Sequence, residues 1–264
     1  MPIIEGAILD YNRTASGRHG GYHEIAASYA LLGKAIRDAR FGRALRLLGP
    51  LQYKCWKLTL AGRLDEVVDV FSNEVLIGED AEYVERFARD FDINKSGWKW
   101  ALGLPKIGKK MDTTPVWGAV QFAQDAHKAG VKTAVYSGSF LPFIEANLER
   151  AGYRGAFDVV RANSWVADKG VITGADWKVD CREKGRGFRE FLREMRLREN
   201  GEAVFYAGDD EPDVSVFRQV EYPVVPPTAK PEFAERCRSD PEFGHRVVVL
   251  AEWEEARERY LASK

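Results

Sequence analysis

The chain has 264 residues, with 39 lysines and arginines against 40 aspartates and glutamates, so its formal net charge of −1 gives no field that would draw it onto nucleic acid or an anionic membrane. Hydrophobic residues at 45% and charged residues at 30% permit a sizeable core, arranged as one domain with a large insertion or as two small domains. Cys55, Cys181 and Cys237 are scattered without a CxxC pair, which argues against a disulfide framework or a thiolate zinc site.

No stretch approaches the roughly 20 apolar residues of a membrane span, and no positive region precedes the first apolar run, so a soluble, cytoplasmic protein is expected. Ile3, Ile4, Ile8 and Leu9 lead into Asp10, where the run stops. This predicts a buried strand that delivers one carboxylate to its C-terminal edge, the edge at which open α/β sheets bind ligands. An ordinary strand followed by a polar turn has the same pattern. The glycine-rich residues 15–21 then read as a hinge.

From Tyr22 to Asp92 apolar residues recur at helical spacing, as in Ile25, Tyr29, Leu32 and Ile36, in Leu64, Val67, Val68 and Phe71, and in Tyr83, Val84 and Phe87. Leu51 to Leu60 is expected to form a further helix. The segment is therefore read as a helical insertion placed just after the first strand. His19 and His23 flank two glycines near its start, where they serve either as surface groups or as ligand contacts. Residues 94–110 carry Trp98, Trp100 and five lysines. In a chain without net positive charge they read as the return connection rather than a nucleic-acid patch.

After Thr113 helices and strands alternate. Thr113 or Thr114, followed by Pro115, opens a helix that Gly130 ends. Val131 to Tyr136 reads as a buried strand stopping at Ser137-Gly138-Ser139, with a helix from Leu141 to Ala151 behind it. A serine between a strand end and a helix start is a good anion cradle, and also a common turn. Phe157 to Ala162 is a third strand, and Trp165 to Gly174 a hairpin turning at Asp168 to Gly170. A polar approach ends in Lys184, a helix is expected over Gly187 to Glu199, and Ala203 to Ala207 is another strand. Beyond it lie Asp209, Asp210, Glu211 and Asp213, four acids in five positions that cannot all be ionised at close range without a cation. A solvated acidic turn capping a helix at Asp213 to Phe217 is the alternative. Tyr222 to Val225 and Val247 to Leu250 are later strands, with Pro231 to Cys237 and Glu252 to Leu261 as helices. Four strand ends are thus expected to present Asp10, Ser137, Lys184, and Asp209 with Asp213.

The ordered set resembles the haloacid dehalogenase superfamily, most closely its phosphoserine phosphatase-like branch. It consists of Asp10 to Thr14, a helical insertion, Ser137-Gly138-Ser139, the hairpin closed by Asp168-Lys169-Gly170-Val171-Ile172-Thr173-Gly174, Lys184-Gly185 opening a helix, and Gly208-Asp209 through Asp213. The resemblance implies an α/β fold: a Rossmann-like, mostly parallel sheet with helices on both faces in residues 1–14 and 111–264, and a helical cap in 15–110, with 15–21 and 104–112 as hinges. It implies Asp10 as the nucleophile, and Ser137, Gly138 and Lys184 around the phosphoryl group. Mg²⁺ would be held by Asp10, the Asn12 backbone, Asp209 and Asp213. The partner would be a small phosphorylated substrate, selected by the insertion through Arg18, His19 and His23; phosphoserine itself is disfavoured because the acidic residue expected after the first motif is absent unless Glu24 serves. At Asn12 the superfamily's phosphatases usually carry a second aspartate for acid–base work, so weakened hydrolysis, ligand binding without turnover, and metal-free dehalogenation of 2-haloacids all stay open.

Overall fold

The computed structural model describes residues 3–16, 53–54, 57–58, 66, 70–90 and 116–262. The chain divides into two compact units, one built from Met1–Arg18, Thr114–Asn163 and Trp177–Lys264, the other from His19–Thr113 and Ser164–Asp176.

The described strands are β1 (Gly6–Leu9), β2 (Lys132–Phe140), β3 (Val159–Asp168), β4 (Val171–Asp176), β5 (Val204–Ala207), β6 (Tyr222–Val225) and β7 (Val248–Val249). They form one sheet in the order β4-β3-β2-β1-β5-β6-β7. Every neighbouring pair is parallel except β3 with β4. The chain is therefore α/β with a Rossmann-like sheet.

Burial on both faces explains why β1, β5 and β6 are almost wholly apolar, while the less buried β3 and β4 carry polar residues. Side chains alternate across the sheet. Leu9, Val135, Phe205 and Ala207 join one core with helices α2 (Trp117–Lys128), α3 (Leu141–Arg150) and α7 (Trp253–Tyr260). Ile8, Tyr136, Val204 and Tyr206 join the other with α4 (Phe188–Glu194), α5 (Val214–Phe217) and α6 (Pro231–Ser239). Aromatic pairs knit each layer, Phe122 against Phe205 at 4.7 Å on the first face and Tyr136 against Phe191 at 4.9 Å on the second.

Within the second unit, α1 (Ala81–Asp90) is capped by the Asp80 carboxylate, which accepts from the Tyr83 N–H at 2.7 Å. Val84, one of the residues at helical spacing, is buried on it. The Gly78 N–H and the Ile172 N–H exchange backbone hydrogen bonds with Ile172 and Glu79 at 2.8 Å, tying this segment to β4. Most of the expected helical insertion, including Arg18, His19, His23, Glu24, the two hinges and the Trp98–Trp100 segment, lies outside the described residues. So do Thr113, Thr114 and Pro115. Among the described residues no helix is long and apolar enough to cross a membrane.

Three sequence expectations are corrected. Strand β2 does not stop at Tyr136. It runs through Ser137 to Phe140, with a register shift against β3 between Ser137 and Phe140 that replaces the expected turn. The helix expected to reach Glu199 ends at Glu194. Arg196 takes φ 55° and the Leu197 N–H returns to the Leu192 carbonyl at 2.8 Å, which turns Leu197 into the core, where burial outweighs its helix propensity. Finally, Lys184 ends no strand. It lies in the irregular segment between β4 and α4.

Candidate active site

Parallel register brings the ends of β1 and β5 level with the middle of β2. Leu9 faces Val135 on β2 and Ala207 on β5, so Asp10 emerges between the Ser137 and Asp209 segments. The Asp10 N–H still donates to the Ala207 carbonyl at 2.8 Å, prolonging the strand by one residue. The chain then enters a π-turn over Tyr11–Ala15, closed by the Ser16 N–H on the Tyr11 carbonyl at 2.7 Å. Such wide turns place successive side chains differently from an α-helix. Here the result is that buried Thr14 aims its hydroxyl at Asp209 Oδ1, at 3.2 Å.

Lys184 is carried into the site by its backbone. The Tyr136 hydroxyl donates to the Lys184 carbonyl at 3.1 Å, and the Gly185 N–H donates to Ser215 Oγ at 2.8 Å. The ammonium group lies 2.8 Å from Asp10 Oδ1 and 2.7 Å from Asp213 Oδ1, with all three residues almost wholly buried. Burial by itself would lower the lysine pKa, but the two carboxylates outweigh it and hold the group above the ordinary lysine range. Burial also pushes the Asp10 carboxyl up to about 6, against the pull of Lys184 and helped by the charge of Asp213. Asp10 is thus still ionised near neutrality, though with little margin.

The acidic loop is divided rather than clustered. Glu211 is exposed and pairs with Arg236, and the Asp210 carboxylate caps the short turn at Glu211–Asp213 by accepting from the Glu211 N–H at 2.9 Å. Asp213 folds back under the loop. Its Oδ1 accepts from Lys184 and from the Tyr206 hydroxyl at 2.7 Å, and its Oδ2 accepts from the N–H groups of Asp209 at 3.0 Å and Asp210 at 3.1 Å. All four acceptor directions of that carboxylate are engaged. A side chain at Gly208 would put its Cβ 2.4 Å from the Asp213 carboxyl carbon, so this approach needs glycine.

Among the described residues, Asp10, Asp209 and Asp213 are the group whose oxygens could surround a cation, lying within 4.8 Å of one another. Three carboxylates against the single ammonium of Lys184 leave two formal negative charges in a buried place. Hard oxygen donors with that charge suit a divalent cation such as Mg²⁺. Of the four acids after β5 only Asp209 and Asp213 lie in this cluster, and Lys184 itself supplies part of the charge that neutralises it.

Asn12 lies beside this cluster. Its Nδ2 donates to Ser139 Oγ at 2.7 Å, and its buried Oδ1 has no hydrogen-bond partner. Ser137 is fully buried, and its Oγ accepts from the Ser139 N–H at 3.2 Å, which leaves the serine proton to be donated elsewhere. Of the residues singled out from the sequence, the structure gathers Asp10, Lys184, Asp209 and Asp213 into one cluster and joins Asn12 to Ser139, with Ser137 and Gly138 on the same stretch of β2. Sequence reasoning missed the Thr14 contact with Asp209, the Tyr206 bond to Asp213, and Asn163 and Cys181 behind Gly138. Only Tyr206 carried a signal, because a tyrosine in a buried strand must find a hydrogen-bond partner.

If a divalent cation binds here, protons compete with it at Asp10. The rise in thermal midpoint on adding Mg²⁺ is therefore expected to be full near pH 7.5 and to shrink as pH falls through about 6. Differential scanning fluorimetry across that range checks this, and a magnesium effect that grows on acidification would contradict it.

A model of the family described as haloacid dehalogenase-like hydrolase matches residues 28–218. A search of curated proteins gives no match. Among solved structures, a protein of unknown function from Bordetella pertussis Tohama I is 15% identical with a TM-score of 0.60, over 93% of this chain and 97% of that one. A HAD family hydrolase from Salmonella enterica subsp. enterica serovar Typhi is 14% identical at TM-score 0.57, over 99% and 73%. A substrate-bound phosphoserine phosphatase is 16% identical at TM-score 0.53, over 88% and 90%. At these identities the likeness is one of fold.

Proposed function

We propose a function on the premise that this chain belongs to the haloacid dehalogenase-like hydrolase family: it is a Mg²⁺-dependent phosphatase-type hydrolase of a small phosphorylated metabolite, acting through a phosphoryl group on Asp10. The observation that carries this reading is the buried Asp10–Lys184–Asp213 chain with Asp209 beside it. A metal-free dehalogenase has no use for the excess negative charge of that cluster.

In the proposed reaction an Asp10 oxygen attacks phosphorus, an O–P bond forms, and the ester oxygen departs with its electron pair. Water then attacks the phosphorus, the Asp10–phosphate bond breaks and inorganic phosphate leaves; with no acid–base side chain at Asn12, the departed alkoxide takes its proton from solvent and the attacking water gives one back. Lys184 and the Ser137 hydroxyl hold the phosphoryl oxygens and share the charge that builds during transfer. Mg²⁺ would be held by Asp10, Asp209 and the Asn12 backbone, and supplies charge neutralisation that lets one anion approach another. Asp213, whose oxygens are already engaged, would act from behind by fixing Lys184 and the loop. Residues 15–110 would be the cap, and Arg18, His19 and His23 would select the rest of the substrate.

Binding without turnover is a second reading, favoured by one observation: Asn12 cannot exchange protons. One experiment separates the two. Incubation with Mg²⁺ and acetyl phosphate is expected to release phosphate and to leave a hydroxylamine-labile phosphate on the protein, both lost in Asp10→Asn. Labelling that persists in Asp10→Asn would remove Asp10 as nucleophile, and saturable phosphate binding without label would leave the binding reading.

A further inference from the structure

The residue behind the Ser137–Ser139 segment is the fully buried Asn163, on β3. Its Nδ2 donates to the Gly138 carbonyl at 2.8 Å and to the Val179 carbonyl at 3.0 Å, and its Oδ1 accepts from the N–H groups of Lys178 at 2.9 Å and Val179 at 2.8 Å. The Cys181 thiol donates to the same Gly138 carbonyl at 3.2 Å. A Cβ on Gly138 would lie 2.9 Å from Cys181 Sγ, so the thiol presses directly on this peptide.

A peptide is planar, so fixing the Gly138 carbonyl fixes the Ser139 N–H, which points the opposite way from the same unit. That N–H donates to Ser137 Oγ. An oxygen that already accepts one hydrogen bond keeps its own proton for another acceptor. We infer that Asn163 and Cys181 are positioning residues for oxyanion binding: they set the Gly138–Ser139 peptide so that the Ser137 hydroxyl is presented as a donor to a phosphoryl oxygen. The inference rests on the phosphoryl-transfer reading for its ligand, while the positioning itself is a property of the chain alone.

Cys181→Ala removes the thiol donor, and Cys181→Ser keeps one. Asn163→Asp keeps the acceptor for the Lys178 and Val179 N–H groups but loses the donors to the Gly138 and Val179 carbonyls, so the connection after β4 keeps its two N–H bonds to residue 163 while Gly138 is released. Two readouts are needed. Amide hydrogen exchange without ligand is expected to quicken at Ser139 by about tenfold in Cys181→Ala and Asn163→Asp, and to stay near the wild-type rate in Cys181→Ser. Calorimetry with orthovanadate and Mg²⁺ is expected to show about tenfold weaker binding in the first two variants and recovery in Cys181→Ser, with the chain still folded by circular dichroism. Unchanged exchange at Ser139 in Cys181→Ala and Asn163→Asp overturns the inference. Unchanged vanadate affinity with quickened exchange overturns its link to anions. A wild-type chain that binds no vanadate counts against the phosphatase reading, while the exchange data still decide the positioning.

Discussion

Asn12→Asp is expected to raise the turnover of an alkyl phosphate by about 10² to 10⁴-fold, the range that positioned acid–base catalysis supplies. Asn12 stands two residues from Asp10, with Nδ2 committed to Ser139 Oγ and Oδ1 buried without a partner. An amide there can orient a water molecule but cannot give a proton to a departing alkoxide or take one from attacking water. Aspartate is nearly isosteric, and can accept from the Ser139 hydroxyl where the amide now donates, so the fold has no reason to change. The gain should depend on the leaving group. An alkoxide leaves poorly without a proton, whereas an aryl oxide or an acyl carboxylate leaves unaided. A plot of log kcat/KM against leaving-group pKa should therefore be steep for the chain with Asn12 and flatter for Asn12→Asp. Parallel lines, or a gain below tenfold for alkyl esters, would show that proton transfer at this position does not limit the reaction.

Lys184→Met is expected to destabilise the metal-free protein by about 3 to 5 kcal/mol at pH 7, the usual cost of stripping one partner from a buried ion pair. Lys184 touches two carboxylates at once, and neither Asp10 nor Asp213 has solvent to fall back on. Methionine fills much of the volume, so most of the loss is electrostatic. The sign of the pH response follows. With the ammonium gone, the carboxylates of Asp10 and Asp213 repel, Asp10 is pushed above the value near 6 it has beside Lys184, and the folded state binds protons that the unfolded state does not. The variant should thus recover stability as pH falls from 7 towards 5, and should recover more than the wild type on addition of Mg²⁺. Urea titrations at several pH values test both arms. A loss under 1 kcal/mol, or one indifferent to pH and magnesium, would mean the ammonium is not the group that neutralises this cluster.

The strands were legible because their signal is local. Ile8 and Leu9 before Asp10, the run from Val131, and Val204 to Ala207 are apolar on both faces, as strands sandwiched between helices must be. The hairpin turn at Lys169–Gly170 was legible for a similar reason, since few residues suit so tight a connection. Helix ends were less so. Nothing local to Arg196 announces that the chain turns to bury Leu197, because the reward comes from a core assembled by distant strands.

For the site, residue order along the chain determined which groups could meet: Asp10 and the acids from Asp209 each follow a buried strand, the serines at Ser137 and Ser139 lie in the last part of another, and parallel strands deliver such positions to a common edge. The tertiary structure alone decided what each group does there. It sent Asp210 to a helix cap and Glu211 to Arg236, turned Asp213 inward beneath Lys184, and set Thr14 on Asp209 across 195 positions and Asn12 on Ser139 across 127. Hydrogen bonds and ion pairs depend on distances of about 3 Å, and no spacing in the sequence encodes distances between residues that far apart until the sheet has closed.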